Sequence, residues 1–244
     1  MMDKRIYLDY AATTPTDQRV LDEMLPYFNS SFGNAASSEH AYGWDADEAV
    51  KKARKQIAEL IKANSTEIIF TSGATESNNL ALKGFFQRNV TKGNHVISCV
   101  TEHKSILDSV EHLRNTGKNT TLLGVNSKGS INLDKLEQSI TSQTVLISLM
   151  AVNNETGTLH PLKEIGKIAR KHRVIFHTDA TQAVGKIPID VSDMGINLLS
   201  LSAHKIYGPK GVGALYVRKR SPKLELEPII HGGGHEQGMR SGTL

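Results

Sequence analysis

Lys205 lies in the run Ser200-Leu-Ser-Ala-His-Lys-Ile-Tyr-Gly-Pro-Lys-Gly-Val-Gly213, and Asp179 lies in His177-Thr-Asp-Ala-Thr-Gln182. Together the two segments supply an amine able to act as a nucleophile, a carboxylate, an amide and several small polar donors. That set matches the needs of pyridoxal phosphate: a lysine for its aldehyde, an acid for its ring nitrogen and donors for its phosphate. Taken singly, Ser-x-His-Lys is a polar loop after a strand, and Asp179 is a carboxylate capping a loop. A third segment, Ser72-Gly-Ala-Thr-Glu76, turns the balance. It follows the apolar run Ile68-Ile-Phe-Thr71 and opens a helical pattern, where unpaired N–H groups favour a phosphate. Gly73 permits the tight turn and Thr75 adds a hydroxyl, although the same residues also suit a ligand-free N-cap. The segment is not a Walker loop, because Gly-Lys-Ser/Thr is missing.

Other polar residues extend the set. Gln182, three residues on from Asp179, could reach a phenolic oxygen of the ring, and His103, in Thr101-Glu-His-Lys104, could stack on its face and move protons, although a lone histidine is more often a satisfied surface residue. His231 and His235 flank three glycines, but with no third ligand no metal site is expected. Cys99, the single cysteine, sits in Val96-Ile-Ser-Cys-Val100 and reads as a buried, inert thiol.

These groups must be held by a scaffold. Apolar runs predict strands at Glu67–Thr71, His95–Val100, Thr120–Val125, Thr144–Met150, Val174–Thr178, Asn197–Ser202 and Gly213–Val217. Helical patterns near Glu76–Arg88, Ser105–Thr116, Leu133–Ile140 and Leu162–His172 alternate with them, after a long helix placing Val50, Ala53, Ile57, Leu60 and Ile61 on one face. This alternation predicts an α/β fold, a three-layer sandwich around a mainly parallel seven-stranded sheet. Ligands of such sheets bind beyond the carboxyl ends of the strands. Ser72–Glu76, Thr101–Lys104, Asn153–Gly157, Asp179–Gln182 and Ser202–Lys205 each follow a strand there. The glycine-rich tail from His231 to Leu244 looks the least compact segment.

Composition bounds the function. The 244 residues carry a formal charge of +4, only 5% aromatics and no long Lys/Arg block, which argues against nucleic acid. No run reaches membrane-spanning length and none reads as a signal peptide. One cysteine permits no internal disulfide, so a soluble cytoplasmic protein is expected.

In combination these motifs resemble the cysteine desulfurases of the fold-type I pyridoxal-phosphate enzymes, in the class V aminotransferase group. The resemblance runs through the chain, in Tyr7-Leu-Asp-Tyr-Ala-Ala-Thr-Thr-Pro15, Phe32-Gly-Asn34, Thr71–Asn78, Thr101–Lys104, Val152–Gly157, Asp179–Gly185, Ser202–Gly211 and the glycine-rich tail. It implies that Lys205 joins the cofactor's aldehyde, Asp179 pairs with the pyridine nitrogen, Gln182 with the phenolic oxygen, and His103 stacks on the ring. It further implies phosphate contacts from Thr75, Ser202 and His204, backbone lining by Ala74 and Ala203, and L-cysteine held near Asn34 and Asn154. Thr243 would reach the phosphate of a second subunit, implying a homodimer. A sulfur-acceptor protein of iron–sulfur cluster assembly or thiolation would be the further partner. Residues 1–14 would pack on a small C-terminal domain and residues 15–244 would form the cofactor-binding large domain. Two departures stand out: Ala35 replaces the family's proline, and family members continue past Leu244 with the sulfur-accepting cysteine, a substrate-binding arginine and most of the small domain. A C-terminally truncated desulfurase is therefore expected. The alternatives are a related lyase or transaminase, or a catalytically silent, dimerising remnant.

Overall fold

The computed structural model describes residues 5–89, 91, 93–220 and 222–244. Seven strands form one sheet: β1 Ile68–Thr71, β2 His95–Cys99, β3 Asn119–Leu123, β4 Thr144–Ser148, β5 Ile175–Asp179, β6 Leu198–Ser202 and β7 Gly213–Val217. Their order is β1-β7-β6-β5-β4-β2-β3. All pairings are parallel except those of β7, which runs antiparallel to both β6 and β1. The chain leaves β2 toward β3 on one side and returns to β4 on the other. A crevice for ligands arises at such a reversal, and the segments after β2 and β4 flank it.

Alternate residues of each strand enter opposite cores, as the two-residue period of a strand requires. Ile97, Ile147, Phe176 and Leu199 join Ala58, Leu136, Ile165 and Ala169 in one core. Val96, Leu146, Leu198 and Leu215 join Leu80, Phe85, Ile106 and Val110 in the other. The first core is closed by α3 (Ala41–Leu60), α7 (Leu133–Gln138) and α8 (Leu162–Lys171), the second by the turn Leu80–Gly84 that follows α4 (Ala74–Asn79), by α5 (Phe85–Arg88) and by α6 (Lys104–Asn115). This is the three-layer arrangement the alternation predicted. Each fully buried Phe or Leu contributes about 1.5–3 kcal/mol, so the two cores dominate the stability of the frame that carries the strand ends.

Several details differ from the expectation. On α3, Ile57 packs against the core while Leu60 is exposed. Ile61, just past the helix end, is buried as expected, and Ala46 and Ala58 complete the inward face, with Arg54 turned in among them. The helix predicted from Glu76 begins at Ala74 and passes through a single π-turn, Leu80–Gly84, before Phe85–Arg88. Two short helices went unpredicted, α1 at Gln18–Met24 and α2 at Pro26–Asn29. They bury no residue, so they leave little hydrophobic period to read. The glycine-rich tail is not loose. Arg54 grips Glu236 through both oxygens, at 2.6 and 2.7 Å, while the Phe70 N–H donates to the same carboxylate at 2.6 Å.

Candidate active site

The polar strand ends line one cavity of about 730 Å³. Ala74 and Thr75 after β1, His103 after β2, Asn154 after β4, Asp179 and Gln182 at β5, and Ser202, His204 and Lys205 at β6 all face it. Ala203 lies between two of these. Asn34 and Thr243 do not line it: Asn34 borders a separate hollow with Arg54, His235 and Leu244, and Thr243 is exposed in the tail.

Asp179, the last residue of β5, is 6% exposed and tightly held. Its Oδ1 accepts the Thr181 N–H at 3.0 Å, and its Oδ2 accepts from Asn78 Nδ2 at 2.8 Å. Asn78 gives its second amide hydrogen to Ser105 Oγ at 2.8 Å. Ser105 Oγ lies 2.9 Å from His103 Nδ1, and the Ser105 N–H donates to that same nitrogen at 3.1 Å. One chain of hydrogen bonds thus ties Asp179 to His103 through α4 and α6. Because Nδ1 accepts a backbone N–H, the neutral His103 ring carries its proton on Nε2. Neither Asn78 nor Ser105 was foreseen as functional. Both are buried polar residues on otherwise amphipathic helices, and that mismatch was the available signal.

Lys205 stands in the short 3₁₀ turn Ala203–Lys205 that ends β6. Its ammonium donates to the carbonyls of Ala11 and Ala12, both at 2.5 Å. Gln182 Nε2 donates to Ala11 O at 2.8 Å, and Lys186 donates to Gln182 Oε1 at 2.8 Å. Partial burial, and then the neighbouring Lys186 charge, pull the Lys205 pKa down, against the opposing pull of Asp9, Asp179 and Glu155. His204 is likewise lowered by burial and by Lys205 and Lys210. The N-terminal segment is thereby drawn over the site. Thr14 N–H and Oγ donate to His204 O at 2.9 and 3.0 Å, and Thr14 Oγ accepts the Tyr207 N–H. Ile6 and Leu8, just before it, remain more than 80% exposed.

Beneath Asp179 a polar rail crosses the sheet. Ser98 Oγ donates to Ser148 O, Ser148 Oγ meets His177 Nδ1 at 2.8 Å, and His177 Nε2 meets Ser200 Oγ at 3.1 Å. All four side chains are fully buried on the face of Asp179. Burial drives the His177 pKa down to about 4, against a smaller upward pull from Asp179. The β4–α8 loop is stitched to the same region. Glu102 Oε1 accepts the Met150 N–H at 2.7 Å, Asn153 donates to Thr101 O, and His160 Nδ1 lies 2.8 Å from Met150 O. Burial and the nearby Asp179 raise the Glu102 pKa well above the usual carboxylate range, against the Met150 N–H. Cys99 points into the opposite core, fully buried, 3.3 Å from Thr101 Oγ.

The donor set fits pyridoxal phosphate. Hydroxyls of Thr75 and Ser202, the His204 ring, the Asp179 carboxylate and the Lys205 amine all line the one cavity. Thr181 Oγ, in the cavity wall, and Asn78 Oδ1, behind Asp179, are buried without a partner, which marks the region as built for a further polar group. The wall is also set close: a Cβ on Gly213 would come within 2.5 Å of Gly73 Cα, and Gly73 itself has φ +150°, so both positions require glycine.

The aminotransferase class-V family profile matches residues 6–242, and the chain belongs to that family. Among its relatives are the mitochondrial cysteine desulfurase of Candida albicans, 59% identical over 98% of this chain and 49% of that protein, and the cysteine desulfurase IscS of Rickettsia felis, 56% identical over 98% and 58%. The chain thus spans about half the length of the curated relatives it matches. A solved structure described as SspA in complex with cysteine superposes with a TM-score of 0.93 at 44% identity, covering 98% of this chain and 69% of that one. A NifS-like protein superposes with a TM-score of 0.94 at 39% identity, covering 98% and 65%. Among the described residues no helix is long and apolar enough to cross a membrane.

Proposed function

We propose that this chain is the cofactor-binding part of a cysteine desulfurase, which converts L-cysteine to L-alanine and passes the sulfur to an enzyme cysteine as a persulfide. The observation carrying the reading is the cavity that Lys205 and Asp179 share, with Asp179 oriented by Asn78 and Thr181. The names of the relatives and the cysteine in the SspA structure support the substrate.

Lys205 would hold the cofactor, Asp179 would hold a proton on its ring nitrogen, and Gln182 would face its phenolic oxygen. Thr75, Ser202 and His204 would take the phosphate, with Ala74 and Ala203 contributing backbone. When bound, the cofactor supplies an electron sink that labilises bonds at the α-carbon of the amino acid. The lowered Lys205 pKa keeps its amine available as nucleophile and base. His103 holds an exchangeable proton on Nε2 while Ser105 fixes its other nitrogen. Asn154, on the cavity wall, would meet the amino-acid substrate; Asn34, which borders a separate hollow, would do so only at a second subunit's cavity. Residues 1–14 would bear on a second, smaller domain, with residues 15–244 forming the large one. Ala11 and Ala12 already reach Lys205.

A homodimer is part of the proposal, with Thr243, exposed and outside its own cavity, directed to a second subunit's phosphate. The sulfur would pass to an acceptor protein of iron–sulfur assembly or thiolation. Thiol chemistry of this kind belongs in a reducing compartment such as the cytoplasm.

The test is product analysis with L-cysteine, on the protein at the full length encoded by its gene and loaded with pyridoxal phosphate. Alanine and cyanolysable sulfur in equal amounts are expected. Pyruvate with ammonia would instead make it a lyase, and a keto acid with an aminated cofactor a transaminase. No product despite bound cofactor would make it a silent remnant.

A further inference from the structure

The glycine-rich tail ends beside the turn that opens the cavity. Arg240 donates through Nε to Glu76 Oε1 at 3.1 Å, and the two side chains are only 18% and 8% exposed. The other Glu76 oxygen accepts the Ser72 N–H at 2.8 Å. Glu76 lines the cavity with Ser72, Gly73 and Thr75, whereas Arg240 stands behind it. The contact is built from both sides. A Cβ on Gly242 would lie 2.9 Å from Arg240 Nη1, so glycine there leaves room for the guanidinium. Upstream, Glu236 and Gln237 take φ of 46° and 60°. Such strain persists where the surroundings over-determine it, and here the Arg54 grip on Glu236 does so.

A carboxylate in the wall that should receive a phosphate is a liability unless it is neutralised. Burial raises the Glu76 pKa, but the Ser72 and Arg240 contacts outweigh it and keep the group ionised. Without Arg240, that charge would face an incoming dianion. Resting on the pyridoxal-phosphate reading above, we propose that Arg240 is a positioning residue for the phosphate end of the cavity. It neutralises Glu76 and keeps that carboxylate on the Ser72 N–H, so the turn Ser72–Thr75 accepts a phosphate.

Binding of pyridoxal 5′-phosphate and of pyridoxal, which lacks the phosphate, tests this by absorbance titration. Arg240→Gln, which can still donate to Glu76 but carries no charge, should weaken the phosphorylated ligand about 10-fold and pyridoxal less than about 2-fold. Arg240→Lys should recover most of the loss. Glu76→Gln keeps an acceptor for Ser72, so both it and the double variant Arg240→Gln/Glu76→Gln should bind within about 3-fold of the unmodified chain. The double variant leaves no unpaired charge and reads the same effect if the single variant does not fold. Equal loss for both ligands, no loss in Arg240→Gln, or no recovery in the double variant would overturn the role of Arg240. Failure of the unmodified chain to prefer the phosphorylated ligand would overturn the reading of the site itself, and the proposal with it.

Discussion

At the scale of single residues, the site divides into groups that do chemistry and groups that aim them. Asp179→Asn keeps the shape but loses the charge, and a single amide oxygen cannot serve both Thr181 and Asn78. The folding cost should be about 1 kcal/mol, one hydrogen bond. Cofactor-dependent exchange of the substrate's α-proton should fall at least about 100-fold, the scale of losing one preorganised electrostatic partner. Deuterium incorporation from D2O, read beside the melting curve, checks both, and an unchanged exchange rate would make Asp179 merely structural. Asn78→Leu should lower exchange, because Asp179 Oδ2 and Ser105 Oγ both lose the amide that links them. Deuterium incorporation measured beside the melting curve reads that loss separately from folding. Lys205 and Asp179 were legible in the sequence because each follows an apolar strand and has a chemistry of its own. Asn78 and Ser105 were not, because their role depends on a contact between two helices distant in sequence.

At the scale of elements, all seven strands could be read from their Val, Ile and Leu runs, with no end shifted by more than two residues. The direction of β7 was not read, although the short connection from Ser202 to Gly213, with no crossover helix, favours the antiparallel return that the sheet shows. The rail Ser98–Ser148–His177–Ser200 was hidden, since it arises from register between strands. It has a consequence for pH. The His177 pKa is about 4 in the fold against an ordinary value of 6.5, so within that window the unfolded chain binds the extra proton. The neutral-His contribution is complete above pH 6.5 and is lost as pH falls toward 4, by up to about 3 kcal/mol. Urea midpoints measured from pH 7 to 4 should drop, and His177→Gln should flatten that limb. An unchanged limb would show that His177 is not the group responsible. Gly213→Ala, whose new Cβ would press on Gly73 Cα and Leu201 O, should destabilise by about 2 kcal/mol or more and disturb the turn at Ser72.

At the scale of the whole molecule, the frame and the residues proposed to hold the cofactor lie within these 244 residues, while the one thiol lies on the other face of the sheet. Cys99 is fully buried in the core opposite Asp179, so it has no route to the cavity. The 244-residue chain alone should therefore bind the cofactor and exchange the substrate's α-proton, yet form no persulfide. Cyanolysis after incubation with L-cysteine checks this, and persulfide lost in Cys99→Ala would reverse the assignment. Ile6, Leu8, Phe28, Phe32 and Trp44 are all more than half exposed, a patchy apolar surface that should make the isolated chain self-associate. Light scattering across a concentration series reads that directly.

The claim on which the rest depends is that Lys205 holds pyridoxal phosphate. Borohydride trapping of the loaded protein, followed by peptide mapping, measures it. The pyridoxyl group should appear on Lys205, and Lys205→Ala should carry none. Label on Lys186 or Lys210, the neighbouring amines, or no label on a folded sample that binds the cofactor, would contradict the account.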